Sequence, residues 1–426
     1  MLSSKKILGF SIILTLIFFI DTLRTYQPMF ASDYDTHWAY LAGTTFGVTD
    51  PKWIFPNWIY APWYYMFCSY IFGPIFFFLF KINLIDIREA GMYTMLYGSF
   101  LIKILTIFGS YNLAKFLFDQ NKNLAALFSL LVVSLPFGNK AFYEHASETL
   151  GIMILPWCLY FLILYLKKKN NLYFFLYLIF FGLGSSLKMN ILVPYLIFNF
   201  IFLFFYFDNI QIKIFIFSLI SISLFLFLSK LFIGNWLWEN PDIRNFTRNY
   251  GEPPNISVFT NFNLLNLFED NLKYPSQSFS YWNTLYYDFF SDYFGTSFMK
   301  EGLNINNNII NFKILAGIFA TTVFFVYYIY LLINLFLFSK FFSFNSVFIL
   351  SFFFFFVLSI SYSYFVYHKM GGSWNLRYYG IFIYPLVYSF VNQFNLSKNI
   401  TKLNLNYFLI ILIVFFSIFQ RINFIM

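Results

Sequence analysis

The fold class this sequence predicts is an all-α polytopic membrane protein, and three observations carry the prediction. Of 426 residues, 60% are hydrophobic and only 11% are charged, whereas a water-soluble fold carries about a quarter charged residues. Mean hydropathy is +0.67. The apolar residues also gather into long runs, and a bilayer core of ~30 Å is crossed by a helix of about 20 apolar residues. The net charge of +9, spread over such a chain, speaks of orientation in the membrane more than of nucleic acid. Lys outnumbers Arg 21 to 6, against the guanidinium preference of bidentate phosphate readers. Cys68 and Cys158 both sit in apolar runs, so neither a disulfide framework nor a thiolate metal site is implied.

In chain order, Lys5 and Lys6 precede an apolar run from Ile7 to Ile20 with no small-residue cleavage site after it. The reading is an uncleaved first helix over 7–25 with its lysines in the cytoplasm. Further apolar stretches cover 61–80, 92–118, 124–142, 150–166, 172–187, 191–207, 214–233, 313–338, 344–366, 379–393 and 405–420. Length alone allows all of them to span, and charge decides which does not. If 61–80 crosses, Lys122, Lys167, Lys168, Lys169, Lys213, Lys340, Lys398 and Lys402 all fall outside. If it lies in the outer leaflet, every one of them joins Lys5 and Lys6 in the cytoplasm, as the positive-inside bias requires. Pro62 and the Gly73-Pro74 pair suit an interfacial or kinked helix. The expectation is one integral membrane domain over 1–426 with about 11 transmembrane helices, a first outside loop over 26–90 containing juxtamembrane helix 61–80, and a long second outside loop over 234–312.

This topology sorts the chemistry. Asp119 and Asp208 fall in cytoplasmic turns and Asp21 at the end of helix one, while the remaining Asp and Glu face outside, as do His37, His145 and His368. Acid–base chemistry is therefore expected on the outer face. Short cytoplasmic connections and the lack of a Walker or Rossmann glycine pattern exclude an ATP-driven pump or a cytoplasmic sugar-nucleotide enzyme. No internal repeat of the transporter kind is found.

Immediately outside helix one stand Asp33, Asp35 and His37. Two carboxylates and an imidazole so close together can deprotonate an acceptor hydroxyl or bind a divalent cation. The same residues also read as a solvated loop with an aspartate capping a helix through Trp38. Glu144, His145 and Glu148 form a second outside group, in which His145 and Glu148 are one helical turn apart and could share a metal or pair with each other. Lys188, His368, Lys369 and Arg377 are outside-facing cations beside helix ends, fit either to hold a lipid-linked phosphate or to anchor as snorkelling side chains. Lys103 falls within helix 92–118, where a charge costs about 2.5–3.5 kcal/mol. It either faces a cavity or partner, or marks a helix boundary misplaced by a turn. Trp53, Trp58, Trp63 and Trp282 suit sugar stacking or an interfacial aromatic belt.

Asp33-x-Asp35-x-His37-x-x-Tyr40, Gly47 and Tyr60-Ala61-Pro62-Trp63-Tyr64-Tyr65 resemble the opening of the GT-C glycosyltransferases, polytopic enzymes of the protein-mannosyltransferase and lipopolysaccharide-core types. Ala61 stands where the family commonly has a first proline. Further islands follow in the same order: Tyr143-Glu144-His145 to Glu148; Gly182-x-Gly184 to Lys188 and Pro194; Tyr281-Trp282 to Gly295; and His368-Lys369 to Arg377-Tyr378-Tyr379 and Pro385.

The resemblance implies a GT-C-like fold and a helix after Pro62 that does not span. It also implies transfer of a sugar from a polyprenyl-phosphate donor to a glycan, lipid or protein acceptor, with no nucleic acid involved. Asp33 or Asp35 with His37 would be catalytic. Glu144, His145, Glu148, Lys188, His368, Lys369, Arg377 and Tyr378 would bind substrate. No metal ligands and no cofactor are assigned; metal dependence varies in the family, and a divalent cation stays open. The site is expected on the non-cytoplasmic side, outside the plasma (inner) membrane if the source is bacterial or in the lumen if it is eukaryotic. A polymerase, ligase or flippase of lipid-linked oligosaccharide is the alternative. A secondary transporter is a further rival, but it would need more buried charge than Lys103 supplies.

Overall fold

The computed structural model describes residues 3–25, 63–135, 147–187, 192, 195–197, 209–233, 307–337, 346, 349–351, 353–354, 357, 383–396 and 400–421. Among them the regular structure is helical: α1 (Ser4–Thr25), α2 (Trp63–Lys81), α3 (Ile87–Leu117), α4 (Lys122–Ser134), α5 (Ser147–Lys168), α6 (Asn171–Ser185), α7 (Asn209–Ile233), α8 (Asn307–Leu337), α9 (Ile383–Leu396) and α10 (Ile400–Arg421). The hydropathy runs predicted each of these. The predicted stretches 191–207 and 344–366 fall mostly outside the described residues, although the positions described within them are helical. Among the described residues, five helices are long and apolar enough to cross a membrane: α2, and most of α3, α5, α7 and α8. The protein is an all-helical polytopic membrane protein.

The helix boundaries follow local chemistry. α3 begins before its apolar run because Asp86 and Glu89 form a reciprocal capping box. The Glu89 N–H donates to Asp86 Oδ1 at 2.7 Å and the Asp86 N–H to Glu89 Oε2 at 2.9 Å. Two of the outside acids are thereby used structurally. α4 closes well before its run ends at 142, since Leu135 precedes Pro136 and is extended (φ −58, ψ 141), as a pre-proline residue prefers. Asn121 caps α4 through the N–H groups of Asn123 and Leu124. Only Lys169 and Asn170 separate α5 from α6: Lys169 takes a positive φ of 52, and Asn170 Oδ1 caps α6 by accepting from the Leu172 N–H at 2.8 Å.

The chain forms two compact units: residues 1–11, 114–140 and 249–426 in one, and 12–113 and 141–248 in the other. In the first, α4 packs on α9 through Phe128 with Tyr384, and Phe118 stacks on Tyr388. Phe324 and Tyr327 of α8 meet Phe390 of α9, and α10 joins through Phe394–Tyr407 and Phe312–Phe416.

The second unit has a readable register. α5 and α6 run antiparallel, with Tyr165 stacked on Phe174, Phe161 beside Phe180, and Ile154 against Gly184. α6 and α7 run parallel, since Phe174 meets Phe217, Tyr177 meets Ser218, Leu178 meets Ser221 and Gly182 meets Phe225. At one end the ammonium groups collect: Lys168 lies 5.4 Å from the Tyr173 ring and Lys213 5.4 Å from Phe174. α2 runs back along the N-terminal half of α3. Its Tyr64 bonds Ser99, Cys68 abuts Gly98, Phe72 meets Tyr97 and Phe76 meets Tyr93. These contacts leave the C-terminal half of α3 to other partners, among them Trp157 of α5, whose Nε1–H donates to the Leu105 carbonyl at 3.1 Å.

Candidate active site

Asp33, Asp35, His37, Glu144, His145, Lys188, His368, Lys369, Arg377 and Tyr378 lie outside the described residues. So do Trp53, Trp58 and Trp282. Glu148 lies in the first turn of α5. What the structure supplies is the frame to which several of these positions are joined, and in the second unit that frame gathers at the end opposite Lys168 and Lys213.

Three chain segments meet there. The first is the start of α2 at Trp63, whose Nε1–H donates to Ser186 Oγ at 2.9 Å. Ser186 in turn donates to the Leu183 carbonyl at 3.2 Å, so both groups of the tie are satisfied. The Trp63 ring also packs edge-on against Phe225 at 5.7 Å. Ser186 caps α6, and Lys188 follows two positions later in the sequence. The antiparallel register of α5 and α6 brings the start of α5, with Glu148 in its first turn, to this same end. Tyr195 fastens the returning chain, donating to the Gly151 carbonyl at 3.3 Å. A glycine is required at 184, because a Cβ there would lie 2.7 Å from Tyr195 Cζ and 2.8 Å from Ile154 Cγ2. The sequence placed these islands on one face, and the structure ties two of them, Tyr60–Tyr65 and Gly182–Lys188, to each other through Trp63 and Ser186. Trp63 serves packing and this hydrogen bond.

Lys103 lies well inside α3 and is fully buried, so a misplaced helix boundary is excluded. Its Nζ sits 5.0 Å from the centroid of the Phe18 ring on α1, within cation–π range. Ser99, Lys103, Thr106 and Ser110 recur at i, i+4, i+7 and i+11, which places them on one face of α3, and all four are fully buried. Thr15, Phe18 and Thr22 form a matching buried stripe on α1. Thr22 and Thr106 return their hydroxyls to the carbonyls one turn back, which keeps them satisfied away from water. Ser99 shares a 2.8 Å hydrogen bond with Tyr64, linking this polar seam to the α2 residue beside Trp63. The stripe repeats at helical spacing, yet only its lysine stands out in a hydropathy scan. Among the described residues no three His, Cys, Asp or Glu side chains gather as a metal site would require.

Residues 73–238 match the sequence model of the dolichyl-phosphate-mannose-protein mannosyltransferase family. The match covers less than half of the chain. It runs from within α2 to just past α7 and includes Glu144, His145, Glu148 and Lys188, while Asp33, Asp35 and His37 precede it and His368, Lys369, Arg377 and Tyr378 follow it. This is a match to membrane glycosyltransferases of GT-C type. No curated protein matches the chain.

Proposed function

We propose that this protein is an integral membrane glycosyltransferase that moves a sugar from a polyprenyl-phosphate donor to a hydroxyl of a glycan, lipid or protein acceptor. It acts on the non-cytoplasmic face, outside the plasma (inner) membrane if the source is bacterial or in the lumen if it is eukaryotic, and inverts the anomeric centre. The observation that carries this reading is the match of residues 73–238 to a mannosyltransferase family. The sidedness of the second unit supports the choice of face. Lys168 and Lys213 sit together at one end, as cytoplasmic lysines do, and the Trp63–Ser186 junction and Glu148 sit at the other. The pairing of α2 with only the N-terminal half of α3 supports a juxtamembrane α2.

In this reading a carboxylate of the first loop, Asp33 or Asp35 with His37 beside it, takes the proton of the acceptor hydroxyl as its oxygen attacks the anomeric carbon. The glycosidic bond to the phosphate breaks on the opposite face, and the electron pair leaves with the polyprenyl phosphate. Arg377, with a fork fit for two phosphate oxygens, and Lys188 stabilise that leaving group as its charge grows. His368, Lys369 and Tyr378 flank it, while Glu144, His145 and Glu148 orient the acceptor. The donor's tail lies in lipid against apolar helix faces, such as that of α7 with exposed Ile216, Ile220 and Leu224.

The test is release of polyprenyl phosphate from radiolabelled lipid-linked sugars by the purified wild type and by Asp33→Asn and Asp35→Asn. Loss of a general base costs about 10²–10⁴-fold, so one of the two variants is expected to fall by that much with donor binding retained. A wild type that turns over no donor yet moves one across vesicles would refute the enzyme and leave a flippase.

A further inference from the structure

We propose that the end of α5, α6 and α7 marked by Lys168 and Lys213 is a binding site for an anionic phospholipid, its phosphate held between the two ammonium groups and its acyl chains laid along α7. The inference needs only that these helices lie in a membrane and does not rest on the glycosyltransferase reading. Lys168 is the last residue of the apolar stretch Thr149–Lys168, and Lys213 is the second residue of the apolar stretch Ile212–Leu231. Both stretches reach their polar boundary at this end, which puts the two ammonium groups at headgroup depth.

Three helices bring the cations together. Phe174 of α6 stacks on Tyr165 of α5 at 4.7 Å and meets Phe217 of α7 edge-on at 5.7 Å, so the first turn of α6 stands between the end of α5 and the start of α7. Lys168 Nζ lies 5.4 Å from the Tyr173 ring, and Lys213 Nζ lies 5.4 Å from Phe174 and 6.0 Å from Phe217. The rings hold the ammonium groups in place, but a ring has no net charge with which to neutralise them. Among the described residues neither ammonium has a carboxylate partner. Between Glu148 and Glu239 the sequence has a single acid, Asp208, against Lys167, Lys168, Lys169 and Lys213 around this end. The short α5–α6 turn also fixes the backbone of the lysine run, since the Lys169 N–H donates to the Tyr165 carbonyl at 2.7 Å. Lys168, Lys169 and Lys213 are all exposed.

The chemistry of the occupant follows from what adjoins the cations. Phe217, Ile220 and Leu224 follow Lys213 at i+4, i+7 and i+11, on one face of α7, and all three are exposed. Free phosphate would use the cations and leave this stripe untouched. A zwitterionic headgroup brings an ammonium of its own, which the lysines repel. A phosphodiester with net negative charge and acyl chains satisfies both the cations and the stripe. The Trp63–Ser186 junction lies at the opposite end of α6, so this site is separate from the donor phosphate site proposed above.

Full-length wild type, Lys168→Gln, Lys213→Gln, the double variant and Lys81→Gln are purified in a neutral detergent. Lys81 is the control, an ammonium held 4.6 Å from the Phe77 ring at the end of α2. Each protein is titrated with phosphatidylglycerol, phosphatidylcholine or inorganic phosphate. The readouts are the monodisperse fraction after heating and the lipid retained in native mass spectrometry. A ligand that binds the folded state raises its heat stability, so wild type is expected to gain with phosphatidylglycerol and not with the other two. Loss of either ammonium should raise the half-maximal phosphatidylglycerol concentration about fivefold, and the double variant should raise it further, while Lys81→Gln titrates as wild type. An equal gain from phosphatidylcholine reduces the effect to solvation of apolar faces and overturns the site. A full gain from inorganic phosphate overturns the lipid as its occupant. Wild-type titration by the double variant overturns the role of the lysines. Should the double variant not fold, the two single variants decide by the same readings.

Discussion

Gly98→Ala probes the closest approach of α2 to α3. A Cβ at 98 would stand 2.8 Å from Cys68 Cβ and 3.2 Å from Cys68 Cα, so the obstruction is at and next to the backbone, where no flexible side-chain end can swing away. On an exposed helix this substitution would gain about 1 kcal/mol of propensity. Against that stands overpacking, at about 1–3 kcal/mol, in a contact whose neighbours are locked: Tyr64 by its bond to Ser99 one turn before Cys68, and Phe72 by Tyr97 one turn after. The net expectation is a loss of up to about 2 kcal/mol, a factor of up to about 30 in the folded-to-unfolded ratio. The assay is the fraction of purified protein that stays monodisperse after graded heating. The decisive comparison is the same substitution beside Cys68→Gly. There only the Cα at 3.2 Å remains, a shift of a few tenths of an ångström accommodates the methyl, and Gly98→Ala should become stabilising. If Gly98→Ala stabilises the chain with Cys68 in place, the close approach of the two helices is refuted.

Two further expectations rest on single features. Ser229 Oγ is buried without a hydrogen-bond partner, so Ser229→Ala should raise heat stability by about 1 kcal/mol, the scale of an unsatisfied buried hydroxyl; a drop in stability would show that the hydroxyl is engaged. Lys213→Cys, in a background with Cys68 and Cys158 replaced, should react with a membrane-impermeant maleimide only from the cytoplasmic side, and Glu148→Cys only from the other. Labelling of both from one side would contradict the assigned orientation.

Helix existence was legible because in lipid every backbone polar group must be bonded within the segment, and a long apolar run has no other solution. The boundaries were legible only in part. Hydropathy excludes Arg88 and Glu89 from α3, yet the capping box with Asp86 places them in its first turn, and the apolar run through 142 hid the stop that Pro136 imposes on α4. Lys103 was legible as an anomaly, but not as part of a buried stripe with Ser99, Thr106 and Ser110, because serine and threonine are close to neutral in hydropathy and scarcely mark an apolar run. The link between Trp63 and Ser186 could not be read at all. It joins residues 123 positions apart, and tryptophan near a membrane surface has many uses. Apart from Glu148 in the first turn of α5, the candidate acids and cations lie outside the described residues, where pattern gives residue type and sidedness but no geometry.

The parallel course of α6 and α7 adds an argument about topology that hydropathy alone lacks. Four successive contacts, from Phe174–Phe217 to Gly182–Phe225, advance together along both helices. A chain that leaves α6 at one end and begins α7 at the other must return over the full length of the pair. The helices from Asn171 to Gly182 alone rise about 17 Å at 1.5 Å per residue, and the connection 186–208 is the chain available for that return. It contains the predicted span 191–207, and its described positions 192 and 195–197 are helical. If 191–207 were a surface loop lying at the Trp63–Ser186 end, α7 would have to start there, and Lys213 could not sit on Phe174. The return of the chain between Ser185 and Asn209 to the Lys213 end therefore follows from packing, independently of the lysine count.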